Sequence, residues 1–319
     1  MTEKSDVGSS VNLWSWSNCS LCGHSENKVF LVQAPYRLVQ CSQCGLIFMN
    51  PRPRDVGEHN LDTEERLEVL IQEHKRVRDL WCQENLSWVE RYVKRGRLLD
   101  IGSSAGFFLA IAREAGWDVA GIEPSDVMVQ YGRNFLGLPI ICGKLDSQTV
   151  DLFDVESFDA ATMWEVMEHL PDPLKGLELA WQLLKPGGVL FIQVPNIASP
   201  VFRLFGKRWH NLSIHCHATF FSQDTLEALI KRCNYNIESI FTHSYIYRQI
   251  GRLSFRGIPL DSNSRMVRAA TLLFNHWLLK ITGSGDHIVA VARKISRNVT
   301  GKAQKWTAAC SEVNSLLSR

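Results

Sequence analysis

Between residues 97 and 194, short apolar runs alternate with stretches of helical periodicity. The apolar runs are RLLDIG, DVAGIE, PIICG, FDAATMW and GVLFIQV, and helical stretches begin at Ala105, Ser125 and Pro173. Strands that alternate with helices in this way form a doubly wound parallel sheet, because each helix carries the chain back to the same edge. The pattern predicts an α/β fold, and two later runs, NIESIFTHS and DHIVAVARK, extend the sheet to seven strands.

The loop after the first of these strands is DIGSSAG, in which one acid precedes small residues and two glycines. Open α/β sheets bind their ligands at this edge. Gly102 and Gly106 let a ligand approach bare amides, and Asp100 can accept hydrogen bonds. Glu123 ends the second strand, where a carboxylate can hold both hydroxyls of a ribose. Because the third glycine of the dinucleotide fingerprint is missing, the residues favour a nucleoside without a pyrophosphate; a turn that serves packing alone is the alternative.

Together these segments resemble the class I S-adenosylmethionine-dependent methyltransferases. The resemblance covers residues 88–295 and rests, in order, on LLDIGSSAGFFLAIA, VAGIEPS, FDAATMWEVMEHLPDP, LLKPGGVLFIQVPN, HATFFSQDTLEALIKRCNY and GDHIVAVARK. It implies a seven-stranded Rossmann-like methyltransferase sheet with S-adenosyl-L-methionine as the cofactor. The cofactor-binding residues that it implies are Asp100, Gly102, Ser104, Gly106, Glu123, Met128, Asp146 and Glu165.

Within that set the resemblance assigns the ribose to Glu123, the surroundings of the adenine to Met128 and the adenine amino group to Asp146. Ser104 departs from the family, because it stands where the middle glycine of G-x-G-x-G is expected. We expect the cofactor still to fit beside this small residue, with tighter packing or weaker affinity as the alternative.

Three side chains are candidates for catalysis by resemblance: Glu165, His169 and His217. Glu165, Glu168 and His169 resemble the divalent-metal ligands of ubiquinone-pathway O-methyltransferases and small-RNA 2′-O-methyltransferases, where a metal lowers the pKa of the attacking hydroxyl. The other interpretation is that Glu165 contacts cofactor or backbone and its two neighbours only begin a helix. His217 aligns with a histidine of the family's H-x-x-x-F-S segment and is either a base or a core residue.

Four cysteines form two C-x2-C pairs, Cys19 with Cys22 and Cys41 with Cys44. This spacing is typical of a structural Zn²⁺ site with four thiolates, and a glycine after each pair permits the positive φ of the turn. Four unrelated buried thiols are the alternative. The segment VQCSQCGLIFMNPRP also resembles the N-terminal zinc segment ahead of some methyltransferases of sugar and natural-product pathways.

The expected organisation has five parts along the chain. These are a disordered N-terminus (1–18), a small N-terminal zinc ribbon (19–54), a helical linker or lid (55–95), the methyltransferase domain (96–295) with a helical insertion (245–285), and a C-terminal tail (296–319). The lid is expected to be a long amphipathic helix from Asp62, broken near Asn85. Arginines precede the apolar TLLFNHWLLKI in the insertion, which predicts packing on its own domain or on a partner subunit, or peripheral contact with a membrane surface.

Composition restricts the function further. Of the 319 residues 45% are hydrophobic and 21% charged, which excludes wholesale disorder, and a net charge of +2 gives no strong sign of a nucleic-acid partner. The chain shows neither a secretory signal nor eighteen unbroken apolar residues, so we expect a cytoplasmic protein without a transmembrane segment. The oligomeric state stays open.

The sequence therefore predicts a zinc-ribbon methyltransferase that acts on a small-molecule substrate, at a hydroxyl of a sugar or natural-product/polysaccharide intermediate. One alternative is an RNA methyltransferase, since zinc ribbons and arginine-rich segments can grip phosphates. A second alternative is a catalytically silent methyltransferase fold that serves as a binding module.

Overall fold

The computed structural model describes residues 14–53, 64–72, 75–244, 254–255, 258–259 and 284–295. In chain order the strands are β1 (Trp14–Ser15), β2 (Asn27–Gln33), β3 (Tyr36–Cys41), β4 (Ile47–Met49), β5 (Arg52–Pro53), β6 (Arg97–Ile101), β7 (Asp118–Glu123), β8 (Ile140–Cys142), β9 (Phe158–Trp164), β10 (Leu184–Pro195), β11 (Thr219–Phe220), β12 (Tyr235–His243), β13 (Ser254–Phe255), β14 (Ile258–Pro259) and β15 (His287–Lys294). The helices are α1 (Glu64–Gln72), α2 (Lys75–Tyr92), α3 (Phe107–Glu114), α4 (Asp126–Asn134), α5 (Ser147–Val150), α6 (Pro173–Leu183), α7 (Pro200–Phe205) and α8 (Gln223–Arg232).

The main sheet has seven strands in the order β12-β15-β10-β9-β6-β7-β8. Strands β6 to β10 are parallel, whereas β15 runs antiparallel between β10 and β12. The chain enters at β6 and builds first toward β8 and then in the opposite direction from β9, so the strand order reverses between β6 and β9. Such a switch point is where open α/β sheets bind ligands. The predicted doubly wound, Rossmann-like α/β fold is confirmed.

Both faces of this sheet are covered by helices. Neighbouring residues of β6 illustrate the two-residue period of a strand: Leu98 packs with α2 and α3, and Leu99 packs with α6 and α8. Strands that are buried on both faces read as continuous apolar runs, and this explains why the sequence pattern was so clear.

The expected break in the lid helix near Asn85 is wrong. Helix α2 runs unbroken from Lys75 to Tyr92, and Asn85 is fully buried within it. One face of this helix packs onto the sheet through Cys82, Leu86 and Val89, which are spaced as on one side of a helix. Burial of this face stabilises a continuous helix.

A second sheet of four strands has the order β11-β4-β3-β2. Strands β2 to β4 come from the cysteine-bearing segment, whereas β11 comes from the chain between β10 and α8. The cysteine-bearing segment therefore shares a hydrogen-bonded sheet with the methyltransferase domain.

Several predicted features lie outside the described residues: positions 1–13, the tail 296–319 and most of the insertion 245–285. Within that insertion the structure describes β13 and β14, an antiparallel pair, and residues 284–285. Among the described helices, none combines the length and the apolar character needed to cross a membrane.

Candidate active site

The loop between β6 and α3 adopts a conformation that only small residues permit. Gly102 and Gly106 have φ values of +74° and +83°. A Cβ atom on Gly102 would lie 2.5 Å from Val166 Cγ2, and one on Gly106 would lie 2.5 Å from Leu138 Cδ1. The loop therefore presents bare peptide groups at the start of α3, where the positive end of the helix dipole favours a negative group.

Ser104 fills the middle position of this loop with a φ of 49°, in the left-handed region that glycine favours. A non-glycine residue here costs about 1 kcal/mol. Its peptide N–H donates a hydrogen bond of 2.8 Å to Glu123 Oε2, and the N–H of Ser125 donates one of 2.9 Å to Oε1. Both oxygens of the Glu123 carboxylate are thus oriented by backbone amides.

Asp100 lies at the end of β6 and is almost completely buried. The hydroxyl of Thr162 donates a 2.6 Å hydrogen bond to its Oδ1. Burial raises the pKa of Asp100 to about 7; the Thr162 hydrogen bond opposes this increase and the charge of Glu123 adds to it. A cationic ligand beside this carboxyl would favour its ionised form.

Met128 and Asp146 occupy different environments. Met128 is fully buried in α4, which follows Glu123. Asp146 is exposed and caps the short helix α5, because its Oδ1 accepts a 2.8 Å hydrogen bond from the N–H of Thr149. The structure thus gives Asp146 a capping role, and its contact with an adenine stays a prediction.

Glu165 follows β9 and also has a positive φ, 59°. Its Oε1 accepts a 2.8 Å hydrogen bond from Gln193 Nε2, and its Oε2 lies 3.6 Å from His287 Nε2. The other ring nitrogen of His287 lies 3.0 Å from Asp286 Oδ1. Sequence reasoning missed His287 and Asp286, although they begin an antiparallel strand whose first residues lie at the carboxyl edge of the parallel strands.

Glu168 is the most unusual group at this edge, since it is only 1% exposed. Neither of its carboxylate oxygens makes a hydrogen bond of normal geometry with the described residues. Burial and the neighbouring Glu165 carboxylate raise the pKa of Glu168 well above its usual value. A buried acid without hydrogen bonds is costly unless it is protonated or a cation binds it.

His169 and His217 lie side by side, with their ring centroids 4.7 Å apart and their planes nearly perpendicular. Burial lowers the pKa of His169 and lowers that of His217 well below the usual value, which favours the neutral form of both rings. Ligand atoms of His169, Cys216 and His217 all lie within 4.8 Å of one another. No spacing signal in the sequence singles out Cys216.

The four predicted zinc ligands converge as the sequence indicates. Their sulfur atoms all lie within 4.8 Å of one another, with 3.4 Å between those of Cys19 and Cys44 and 3.5 Å between those of Cys22 and Cys41. Thiolates around one zinc ion are about 3.8 Å apart, so the four sulfurs fit a tetrahedral site. Burial raises the pKa of Cys22 to about 11, hence metal binding would release protons from these thiols.

Comparisons with known proteins agree with this geometry. A protein-family model described as a methyltransferase domain matches residues 73–240. The ubiquinone biosynthesis O-methyltransferase of Paraburkholderia phymatum is 30% identical over 131 residues, which are 39% of this chain and 56% of that protein. The protein of the same name from Coxiella burnetii is 26% identical over 153 residues, 43% of this chain and 65% of that protein. The chain thus spans less than two thirds of the length of either relative.

A solved structure described as a SAM dependent methyltransferase from Archaeoglobus fulgidus shares the fold. It superposes with a TM-score of 0.50 at 19% identity and covers 70% of this chain and 99% of its own.

Proposed function

The chain belongs to the family defined by this methyltransferase domain, and from that premise we propose that it transfers the methyl group of S-adenosylmethionine to a hydroxyl group of a small molecule. The observation that carries the proposal is the pair of hydrogen bonds from Ser104 and Ser125 to the Glu123 carboxylate. They hold an acid in place beside a loop of bare amides, and this is the arrangement that a ribose and an amino-acid chain require.

S-adenosylmethionine, when bound, supplies an electrophilic methyl group on a sulfonium ion. Glu123 would accept hydrogen bonds from the ribose hydroxyls, and Asp100 would attract the cationic part of the methionine chain. Gly102 and Gly106 would let that chain lie against the backbone. Holding the two reactants in line lowers the activation barrier by roughly 7–11 kcal/mol, so no covalent intermediate with the protein is required.

The acceptor oxygen must lose a proton as it attacks. Its electron pair forms the new O–C bond, the S–C bond breaks with its pair left on sulfur, and the proton passes to a side chain. Glu165, His169 and His217 are the candidates: Glu165 directly follows β9, and the rings of His169 and His217 lie against each other just before β11. The relatives are named O-methyltransferases, which supports oxygen as the acceptor atom.

We also propose that a divalent cation binds at Glu165, Glu168 and His169; among the described residues, the side chains that lie close enough to share an ion with His169 are Cys216 and His217, so the two carboxylates are the part of this set that binding must test. Glu168 offers a buried carboxylate that makes no hydrogen bond of normal geometry with the described residues, and His169 and His217 offer neutral rings. Glu165 lies close enough to raise the pKa of Glu168 and would complete the set. Such an ion would lower the pKa of the acceptor hydroxyl.

We propose a structural zinc ion at the four cysteines, and a sugar or natural-product/polysaccharide intermediate as the acceptor. The first is supported by the convergence of the four sulfur atoms. The second is supported by the resemblance of VQCSQCGLIFMNPRP to the zinc segments of such methyltransferases.

Calorimetric titration of the full chain with S-adenosylmethionine tests the proposal. The wild type should bind one equivalent, and Glu123→Ala should weaken binding by about tenfold to a hundredfold because hydrogen bonds to a charged group are lost. Glu114→Ala, a change of an exposed acid at the end of α3, is the matched control. Absence of binding by the wild type would overturn the proposal. Salt-sensitive binding of RNA by the same protein would instead support the RNA alternative.

A further inference from the structure

The cysteine-bearing segment is paired to the main chain beside the proposed acceptor site. Phe48 of β4 pairs with Thr219 of β11, and Ile47 pairs with Phe220. One residue further along, the N–H of Met49 donates a 2.9 Å hydrogen bond to the carbonyl of Ala218. Strand β11 comprises two residues, so its pairing with β4 supplies much of its order.

The residues held in this way also hold Glu168. Its backbone carbonyl accepts hydrogen bonds from the N–H groups of Ala218 and Thr219, at 2.7 and 3.1 Å. His217 immediately precedes these two residues, and its ring packs against that of His169. Thr219 thus pairs with β4 and also donates a hydrogen bond to the carbonyl of Glu168, and it lies two residues after His217.

Both faces of β4 are buried, whereas β2 at the far edge of this sheet is largely exposed. Phe48 packs in the cluster that contains Met163 and Met167, on either side of Glu165 in the chain. Ile47 points the other way and packs in the cluster that contains Trp209 and Ala218. Through β4, the cysteine-bearing segment packs against the methyltransferase domain on two sides.

Two of the cysteines flank the turn that leads into β4. Cys41 is the last residue of β3, and Cys44 lies three residues before β4 begins. The N–H of Cys41 donates a 2.9 Å hydrogen bond to the carbonyl of Leu46, and that of Gly45 donates one of 3.1 Å to the carbonyl of Cys41. A metal ion bound by Cys41 and Cys44 would lock this turn and fix the position of β4.

We propose that the four-cysteine zinc site positions Glu168 and His217 through the pairing of β4 with β11, so that the zinc controls the acceptor side of the active site but not the cofactor side. That Glu168 and His217 lie on the acceptor side of an active site rests on the proposed function. The cofactor loop belongs to the other sheet: Gly102 and Ser104 follow β6 and Glu123 ends β7, and both strands are part of the seven-stranded sheet.

Hydrogen exchange of the full chain, with and without zinc, tests the proposal without any acceptor. After zinc is removed with a chelator, the amides of Ala218 and Thr219 should exchange at least about tenfold faster, because local opening becomes easier. The amides of Gly102 and Ser104 should change by less than about twofold, and added zinc should restore the original rates. Cys44→Ser should reproduce the zinc-free pattern, and Cys142→Ser, a change of an exposed cysteine outside the cluster, should leave it unaltered.

Two outcomes would overturn the proposal. One is unchanged protection of Ala218 and Thr219 in zinc-free protein. The other is loss of protection throughout β6 and β7, which would mean that zinc stabilises the whole fold. These readouts do not depend on methyl transfer, so a failure of the proposed function would be recognised separately, by absence of S-adenosylmethionine binding to the zinc-loaded protein.

Discussion

The peptide N–H of Ser104 lies 2.8 Å from the carboxylate of Glu123, so the middle of the glycine loop and the end of the neighbouring strand form one hydrogen-bonded unit. Ser104 makes this hydrogen bond in a loop where its own φ is positive, 49°. A serine therefore occupies the position that glycine usually fills, and it also fixes the proposed ribose ligand.

Replacement of Ser104 tests this unit. Ser104→Gly should keep the loop conformation and bind S-adenosylmethionine within about threefold of the wild type, since glycine adopts positive φ freely. Ser104→Val should weaken binding by about tenfold or more, because a β-branched residue is strained at positive φ. Calorimetric titration of both variants is the measurement. Wild-type affinity in the valine variant would show that the loop does not orient Glu123.

Asp100 predicts a pH dependence of cofactor affinity. The pKa of Asp100 in the folded chain is about 7 because of burial, against an ordinary value of 3.8. If the ionised carboxylate is the form that attracts the cationic cofactor, affinity should rise by about tenfold between pH 6 and pH 8. Asp100→Asn should bind more weakly at pH 8 and lose this dependence. A titration series across this range that gives parallel curves for both proteins would contradict the assignment.

The same shift predicts how the stability of the ligand-free chain changes. Because the folded-state pKa of Asp100 is raised, the folded chain binds a proton more tightly than the unfolded chain does. The contribution of Asp100 is therefore full at acidic pH and is lost as the pH rises from about 4 to about 7. Denaturation at pH 8 should find Asp100→Asn at least as stable as the wild type; a less stable variant would indicate a structural need for the charge.

Replacement of Glu168 tests the divalent cation that is proposed in addition to the zinc ion. Its raised pKa means that its contribution to the stability of the metal-free chain is also lost as the pH rises above the ordinary value of 4.5. Glu168→Gln should remove this loss and should abolish the increase in unfolding temperature that Mg²⁺ or Mn²⁺ gives the wild type. Glu227→Gln on α8 is the control. An equal shift in wild type and Glu168→Gln would place the cation elsewhere.

Replacement of Lys294 should change the stability of the fold without changing the affinity for the cofactor. It is 2% exposed, and its Nζ donates hydrogen bonds to Glu156 Oε1 and to the carbonyls of Trp181 and Leu184. Lys294→Met should lower the free energy of unfolding by about 2–4 kcal/mol, because buried acceptors are left without a donor. Lys294 ends β15, at the opposite edge from the proposed site, so the affinity for S-adenosylmethionine should stay within about twofold. Denaturant titration and calorimetry on one preparation measure both effects. A weakened affinity would mean that the two edges are coupled.

The sequence predicted the main sheet well because its strands are buried on both faces and each run is bounded by turn residues. Asp100, Gly102 and Glu123 could be grouped in advance, since the first strands of such a sheet lie side by side. The four cysteines could be grouped because ligand spacing is a local property. In each case the signal lies within a short stretch of chain.

The features that could not be predicted from the sequence depend on contacts between segments that are far apart in the chain. His287 meets Glu165 only because β15 inserts between β10 and β12. Phe48 meets Thr219 across a pairing that no local pattern announces. Asn85 remains helical because its neighbours are buried against the sheet, although asparagine is a weak helix former.

The most direct test of the account is mass spectrometry of small metabolites after the full chain is incubated with a cell extract and S-adenosylmethionine that carries a ¹³C methyl group. The wild type should give a hydroxyl-bearing compound that has gained the labelled methyl on oxygen, and Glu123→Ala should not. A wild type that binds the cofactor yet labels no small molecule, or labels RNA instead, would contradict the account.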